Sequence, residues 1–240
     1  MLDDRAAMVL FSGGQDSTTC LAWALNRFDK VATVGFDYGQ RHRVELECRM
    51  EILAVISDVA AGWKGRLSGD VVLNMHLLHE IGGTAMTEVI KFEQEKAQLP
   101  NTFVPGRNLL FMVTAAACAY RQGIRHLITG VCETDYSGYP DCRDDTMKAI
   151  QVAINLGTDQ RFVIHTPLMW VDKAATWQMA KDLGGERFVN VIVEKSHTCY
   201  QGDRTKKHAW GFGCDECPAC KLRRSGHERF LQGETFRSAE

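Results

Sequence analysis

Apolar runs and amphipathic stretches alternate along most of the chain. Short apolar runs fall at 6–11, 31–36, 71–75, 125–131 and 161–165. Between them lie longer segments whose apolar positions recur at helical spacing: 16–28, 43–61, 108–120, 144–156 and 172–183, with a basic helix at 218–232. Short continuous runs suit strands buried on both faces, and the longer periodic segments suit helices. Their alternation predicts an α/β protein with a mainly parallel sheet flanked by helices. One stretch breaks the pattern. Residues 80–105 show no clear period and contain Gly82, Gly83, Pro100 and Pro105. A connection that long is expected to serve as a lid or binding loop.

Ligands of parallel sheets collect beyond the C-terminal ends of the strands. Three polar segments occupy such ends here: 12–19, 37–42 and 132–143. They are predicted to converge. The first is the most telling: Leu10-Phe11-Ser12-Gly13-Gly14-Gln15-Asp16-Ser17-Thr18-Thr19-Cys20 joins a strand to a helix. Glycines admit positive φ and close approach of the backbone to a ligand. The first N–H groups of the helix have no partner within it, and its dipole favours negative charge there. Ser12, Ser17, Thr18 and Thr19 are expected to add hydroxyl donors, so the segment reads as a phosphate or pyrophosphate site. It lacks the Gly-Lys-Ser/Thr of a Walker A loop and the Gly-x-Gly-x-x-Gly of a dinucleotide fingerprint.

Composition narrows the class without changing it. The chain has 240 residues, 45% hydrophobic and 24% charged, with a net charge of −2. That balance supplies no global attraction to nucleic acid or to a membrane surface. No apolar run reaches the roughly 20 residues needed to span a bilayer, and Met1-Leu2-Asp3-Asp4-Arg5 does not read as a signal peptide. A cytoplasmic location is expected.

The nine cysteines are uneven in number and distribution. Cys199, Cys214, Cys217 and Cys220 crowd one short stretch, and Cys214-Asp-Glu-Cys217-Pro-Ala-Cys220 carries two-residue spacings. In a reducing compartment such a cluster reads as metal ligands, and four thiolates match a closed, structural zinc site. An iron–sulfur cluster is the rival, since this spacing also opens a ferredoxin-type run; no cysteine follows Cys220, however, so the fourth ligand must come from upstream. Nearby lysines and arginines (206, 207, 221, 223, 224) would offset the thiolate charge. Cys20, Cys48, Cys118 and Cys132 lie in or beside apolar patterns and read as small buried side chains. Cys142 reads as a free loop thiol. These features predict a main α/β domain at 1–190 and a small C-terminal zinc-binding region at 191–240.

Taken in order, several segments resemble the 7-cyano-7-deazaguanine synthase family of queuosine precursor biosynthesis, a branch of the PP-loop ATP pyrophosphatases. They are Phe11-Ser-Gly-Gly-Gln-Asp-Ser-Thr-Thr19, Asp37-Tyr-Gly-Gln-Arg-His42, Phe103-Val-Pro-Gly-Arg-Asn108, Thr129-Gly-Val, Asp135-Tyr-Ser-Gly-Tyr-Pro-Asp-Cys-Arg143, Thr166-Pro-Leu168, Asp172-Lys173, Ser196-His-Thr-Cys-Tyr200 and Cys214-Asp-Glu-Cys-Pro-Ala-Cys-Lys-Leu-Arg223. Residues 62–102 carry no comparable match. The resemblance implies an adenine nucleotide alpha hydrolase-like, Rossmann-like fold. It also implies a carbon–nitrogen ligase that turns 7-carboxy-7-deazaguanine and ammonia into the 7-nitrile. ATP with Mg²⁺ would be co-substrate, one structural Zn²⁺ would be held per subunit, and a homodimer is expected.

The resemblance further implies that residues 10–20 bind ATP, with Asp16, Ser17, Lys173 and Arg107 at the reacting centre. Asp16 either caps its helix or helps place Mg²⁺, and capping is the simpler expectation. Lys173 is similar in position to a phosphate-binding lysine, or is a plain surface lysine. Arg107 opens a helix against its dipole, which an anion nearby would explain. Asn108 either caps that helix or meets nucleotide. A flat base with N–H donors needs an acceptor and an aromatic or apolar face. Tyr136, Tyr139, Asp141 and Arg143 form one candidate set, and Tyr38, Arg41 and His42 a second. His42 reads as a structural histidine or a proton shuttle. Two other functions fit parts of the pattern: a PP-loop enzyme that adenylates a tRNA base, and a zinc-stabilised nucleotide-binding module without turnover.

Overall fold

The computed structural model describes residues 2–40, 43–88, 99–134 and 138–234. Five strands form one parallel sheet: β1 (Asp3–Leu10), β2 (Lys30–Asp37), β3 (Leu67–Asn74), β4 (Ile124–Ile128) and β5 (Val163–His165). Their spatial order is β3-β2-β1-β4-β5, with every neighbouring pair parallel. The chain first winds outward from β1 through α1 (Gln15–Leu25) and α2 (Val44–Ile56). After the short α3 (Leu77–Ile81) it crosses back through α4 (Arg107–Arg121) to lay β4 on the other side of β1. The crevice between the ends of β1 and β4 is therefore the topological switch point, where ligands of such sheets bind.

Burial on both faces explains why the central strands read as continuous apolar runs. Ala6, Ala7, Met8 and Val9 of β1 are all buried, but they alternate between two cores. Ala7 and Val9 pack with α1, with the far end of α2, and with Trp63, Trp177 and Phe188. Ala6 and Met8 face Met112, Ala115 and Ala119 of α4 and Met147, Ile150 and Ile154 of α5 (Asp144–Thr158).

Strand β3 begins earlier than its apolar run predicts. It is an edge strand, and its polar first half is held by partners rather than by burial. Asp70 accepts hydrogen bonds from Thr33 Oγ1 at 2.6 Å and from Arg49 at 2.5 Å. The helix expected at 172–183 continues to Lys195 as α6 (Lys173–Lys195), because Gly185 (φ 66°) joins a second helical segment at a kink rather than ending the first. The boundary expected near residue 190 thus falls inside α6. That helix packs on α7 (Pro218–Leu231), and the four clustered cysteines lie in the same core as α1. A two-residue hairpin, β6 (Lys207–His208) with β7 (Gly211–Phe212), precedes the last three of these cysteines. Among the described residues, no helix is long and apolar enough to cross a membrane.

Candidate active site

The phosphate-loop candidate is shaped by contacts from below. Phe11 N–H donates to Val34 O at 2.8 Å, and Arg49 Nε donates to Phe11 O at 2.6 Å. Gly13 sits at φ +89°, and a Cβ there would lie 2.6 Å from Glu45 O and 2.9 Å from Arg49 N. Only glycine lets the loop rest this closely on α2. Gly14 N-caps α1 with no side-chain cap. The expectation that Asp16 caps its helix is thereby corrected: its carboxylate instead takes Lys173 Nζ at 2.8 and 2.9 Å. Lys173 is buried in the first turn of α6, which Asp172 caps through Ala175 N–H at 2.7 Å. The alternative of a plain surface lysine does not hold.

The hydroxyls of the loop divide into two groups. Ser12 Oγ and Ser17 Oγ lie 3.1 Å apart at the cavity wall. Thr18 and Thr19 are fully buried and donate back to Gly14 O and Gln15 O, at 2.7 and 3.0 Å. Their expected role as ligand donors gives way to one within the turn. Cys20 is also buried in the core, with Sγ 3.7 Å from Thr129 O, and burial pushes its thiol up.

Two cavities meet at this loop. The first, about 300 Å³, lies over the ends of β1, β2 and β4. Leu10, Phe36, Phe111, Thr129 and Val131 give it apolar walls, with Tyr38, Gln40 and Arg107 among its polar ones. The second, about 680 Å³, runs from Gly14, Gln15 and Lys173 toward the C-terminal region, between Thr102, His197, Thr198, Ala219 and Leu222. Ser12, Asp16, Ser17, Glu45, Tyr139 and Tyr200 line both. The three polar segments at the strand ends do converge, joined by 100–108, part of which was expected to form a binding loop, and by 197–200, from the motif at 196–200.

Arg107 opens α4 after Gly106 (φ 73°) and lines the first cavity, its guanidinium carbon 6.0 Å from the Tyr38 ring. Burial works against its charge, but Tyr38, Tyr139, Cys142 and Asp141 more than offset this and hold it cationic. Burial pushes the phenols of Tyr38 and Tyr200 up, so both remain protonated donors. Tyr139 is buried, with its hydroxyl 2.6 Å from Thr102 Oγ1. Asp141 lines neither cavity. Its carboxylate accepts the Asn108 N–H at 3.0 Å and so caps α4, while the Asn108 side chain turns to Cys142 Sγ at 3.3 Å. Arg143 is exposed and precedes α5. Arg41, His42 and Tyr136 lie outside the described residues.

Glu45 was missed because Val44-Glu45-Leu46-Glu47 reads as an ordinary helix start with a solvated face. In fact its side chain lines both cavities and is half-buried there. Burial raises its carboxyl to about 7, against the pull of Arg107.

The four cysteines expected to bind metal are buried, with their sulfurs within 4.8 Å of one another. Cys214 and Cys220 sulfurs lie 3.9 Å apart. Tetrahedral thiolates at zinc bond lengths would be spaced by about 3.8 Å. Cys214 Sγ accepts N–H bonds from Glu216 and Cys217 at 3.4 and 3.3 Å. A Cβ on Gly213 would lie 2.6 Å from Cys220 Sγ, so a larger residue there would enter the cradle. The donor set fits a single four-coordinate ion. This centre is not remote from the loop: His197 N–H, two residues before Cys199, donates to Gly13 O at 3.1 Å.

Comparison with known proteins places this arrangement. The chain is 62% identical over 230 residues to 7-cyano-7-deazaguanine synthase of Nitratidesulfovibrio vulgaris (strain DP4), covering 96% of this chain and 95% of that protein. It is 60% identical over 233 residues to the protein of the same name in Burkholderia ambifaria (strain MC40-6), covering 97% and 96%. Among solved structures, a 4-thiouridine synthetase in complex with RNA and bound ATP shares the fold. The TM-score is 0.50 at 20% identity, over 94% of this chain and 53% of that one. The family model described as "Queuosine biosynthesis protein QueC" matches residues 6–231, and the chain belongs to that family.

Proposed function

We propose that this protein is a cytoplasmic 7-cyano-7-deazaguanine synthase, converting 7-carboxy-7-deazaguanine and ammonia to the 7-nitrile at the expense of ATP. The observation that carries the reading is identity of 60–62% over almost the full length to proteins of that name. The site supports it: a loop suited to pyrophosphate stands between two cavities, one for the nucleotide and one for a flat base.

A carboxylate is a poor electrophile because oxide would have to leave. Transfer of AMP to one carboxylate oxygen makes that oxygen a leaving group, and ammonia then forms the amide. A second activation, at the amide oxygen, permits its loss as the nitrile forms. We assign the adenosine to the first cavity, at the switch point, and the β and γ phosphates to the uncapped N-terminus of α1. Lys173 transfers from Asp16 to the phosphates when ATP arrives. Asp16 then becomes available to the Mg²⁺ that enters with ATP, which would supply charge neutralisation at the phosphates. Arg107 faces the acyl phosphate from across the first cavity. The deazaguanine lies in the second cavity between Tyr139, Tyr200 and the Thr198–Tyr200 turn. Catalysis rests on positioning and electrostatic stabilisation.

The cysteine centre is assigned to one structural Zn²⁺. Four closed thiolate positions leave no room for water, and the tight packing of the sulfurs suits one ion rather than the larger cage of an iron–sulfur cluster. A net charge of −2 supports small-molecule rather than RNA substrates. A homodimer is part of the proposal, with sedimentation as its check.

The test is incubation of the purified protein with ATP, Mg²⁺, ammonium and 7-carboxy-7-deazaguanine, read by mass spectrometry and nucleotide chromatography. The nitrile should appear with two equivalents of AMP. ADP instead would overturn the assigned cleavage site. No turnover by a folded, zinc-loaded sample would overturn the synthase reading and make tRNA the next substrate.

A further inference from the structure

Each nitrogen step of the proposed reaction releases protons, which a group near the reacting atoms must take. Asp16 is engaged by Lys173 and, in the proposed ATP complex, by Mg²⁺, and the Tyr139 hydroxyl is paired with Thr102. Among the described residues, Asp16 and Glu45 are the carboxylates on the two linings, and both stand where the cavities meet.

We propose that Glu45 is the general base that removes protons from the reacting nitrogen, an inference that rests on the synthase reading above. Its backbone is pinned, because Glu45 O packs under Gly13 of the loop. Its side chain leaves that pinned backbone where the two cavities meet, the junction at which the nucleotide and the base are assigned to react. Arg107 of α4 acts on it electrostatically, and Glu45 in turn raises Tyr38 after β2 and Cys48 one turn along α2. Asp16 with Lys173, and Tyr139 with Tyr200, share its cavity walls. Arg49, the next cation on α2, is turned away to Phe11 O and Asp70. A carboxyl held near 7 is poised to exchange a proton at neutral pH.

The ammonia lone pair forms the C–N bond and the carbonyl π pair moves to oxygen. That pair returns as the C–O bond to phosphorus breaks, its electrons leaving with AMP, and the surplus proton on nitrogen passes to Glu45. After the second activation, the nitrogen of the imidate adenylate loses its protons one at a time to Glu45. The last N–H pair becomes the third C–N bond as AMP leaves, and Glu45 hands each proton to solvent through the open cavity.

The decisive comparison is between Glu45→Gln and wild type in two assays. Exchange of labelled pyrophosphate into ATP, driven by 7-carboxy-7-deazaguanine alone, includes adenylation but no nitrogen chemistry. In the variant it should fall far less than nitrile formation does. Nitrile formation at saturating ammonia should fall by roughly 100-fold or more, the range of a lost general base. At constant free-ammonia concentration, wild-type turnover should rise with pH through a limb at or above 7, since bound ATP adds negative charge nearby. Glu45→Gln should lack that limb, and Glu45→Asp should retain it at an intermediate rate. Loss of exchange in parallel with nitrile formation, or a wild-type pH limb in Glu45→Gln, would overturn the inference while leaving the synthase reading intact. A wild-type protein that makes no nitrile would overturn the reading beneath it.

Discussion

The phosphate loop and the cysteine centre sit against each other, yet they are held in opposite ways. The loop is built by its own backbone: a positive-φ glycine, serine and threonine hydroxyls turned onto nearby main chain, and a strand and helix that run straight into it. The cysteine centre has little regular structure to define it, with only a two-residue hairpin and the start of α7. Its four buried sulfurs, within 4.8 Å of one another, are placed to hold an ion. The two are joined where His197 N–H meets Gly13 O and where Thr198 and Tyr200 wall the second cavity. The segment that carries Cys199 thereby helps to shape the second cavity.

That comparison can be broken from either side. The largest effect is expected from Cys217→Ser, which removes one sulfur from the centre. Metal content and soluble yield should fall together, since binding energy at such a centre is folding energy. Metal analysis of the purified fraction checks this; a folded, metal-free variant of normal stability would show the centre to be dispensable. Gly13→Ala attacks the other region. It is strained at φ +89° and collides with Glu45 O, at a cost on the order of 1–3 kcal/mol. Nitrile formation should be lost while zinc stays at one per chain. A parallel loss of zinc would mean the two regions fold as one unit.

Two smaller effects sharpen the contrast. Lys173→Met leaves Asp16 without its ion pair and removes the cation assigned to the phosphates. ATP-dependent turnover should fall by about 100-fold, equivalent to ~2.7 kcal/mol, with zinc unchanged. Unaltered kinetics would return Lys173 to a structural role. Glu45→Gln should act on stability in a pH-dependent way. The folded carboxyl is raised to about 7 from an ordinary value of 4.5. The native state therefore binds more protons than the unfolded chain between these values, and wild-type stability falls as pH rises through that window. The variant carries no such group, so its melting temperature relative to wild type should be higher at pH 8 than at pH 5.

Much of this was legible in the chain. Apolar runs marked the five parallel strands, most fully the central ones, which are buried on both faces, and only the second half of the edge strand β3. The Ser-Gly-Gly-Gln-Asp-Ser turn and the cysteine spacings stood out because their chemistry is local. What stayed hidden depends on distant partners. Asp141 reads as a base-recognition carboxylate and proves to be the cap of a helix 33 residues earlier. Gly184-Gly185 reads as a helix stop, but Phe188, Val189 and Ile192 are buried beyond it and carry α6 on. Asp16 reads as a helix cap, but its partner comes from a helix 157 residues away.

The parallel α/β architecture, the Ser-Gly-Gly loop, the cluster of four cysteines and the family were all readable along the chain. These reside in short-range patterns: periodicity, turn chemistry and ligand spacing. Packing across the fold is what brings Lys173 to the loop, sets the neighbours of the cysteines against the second cavity, and turns Glu45 toward both cavities. Those facts are set by how helices from opposite ends of the chain pack on the ends of one sheet, and no local pattern records which face of α2 meets a cavity instead of water.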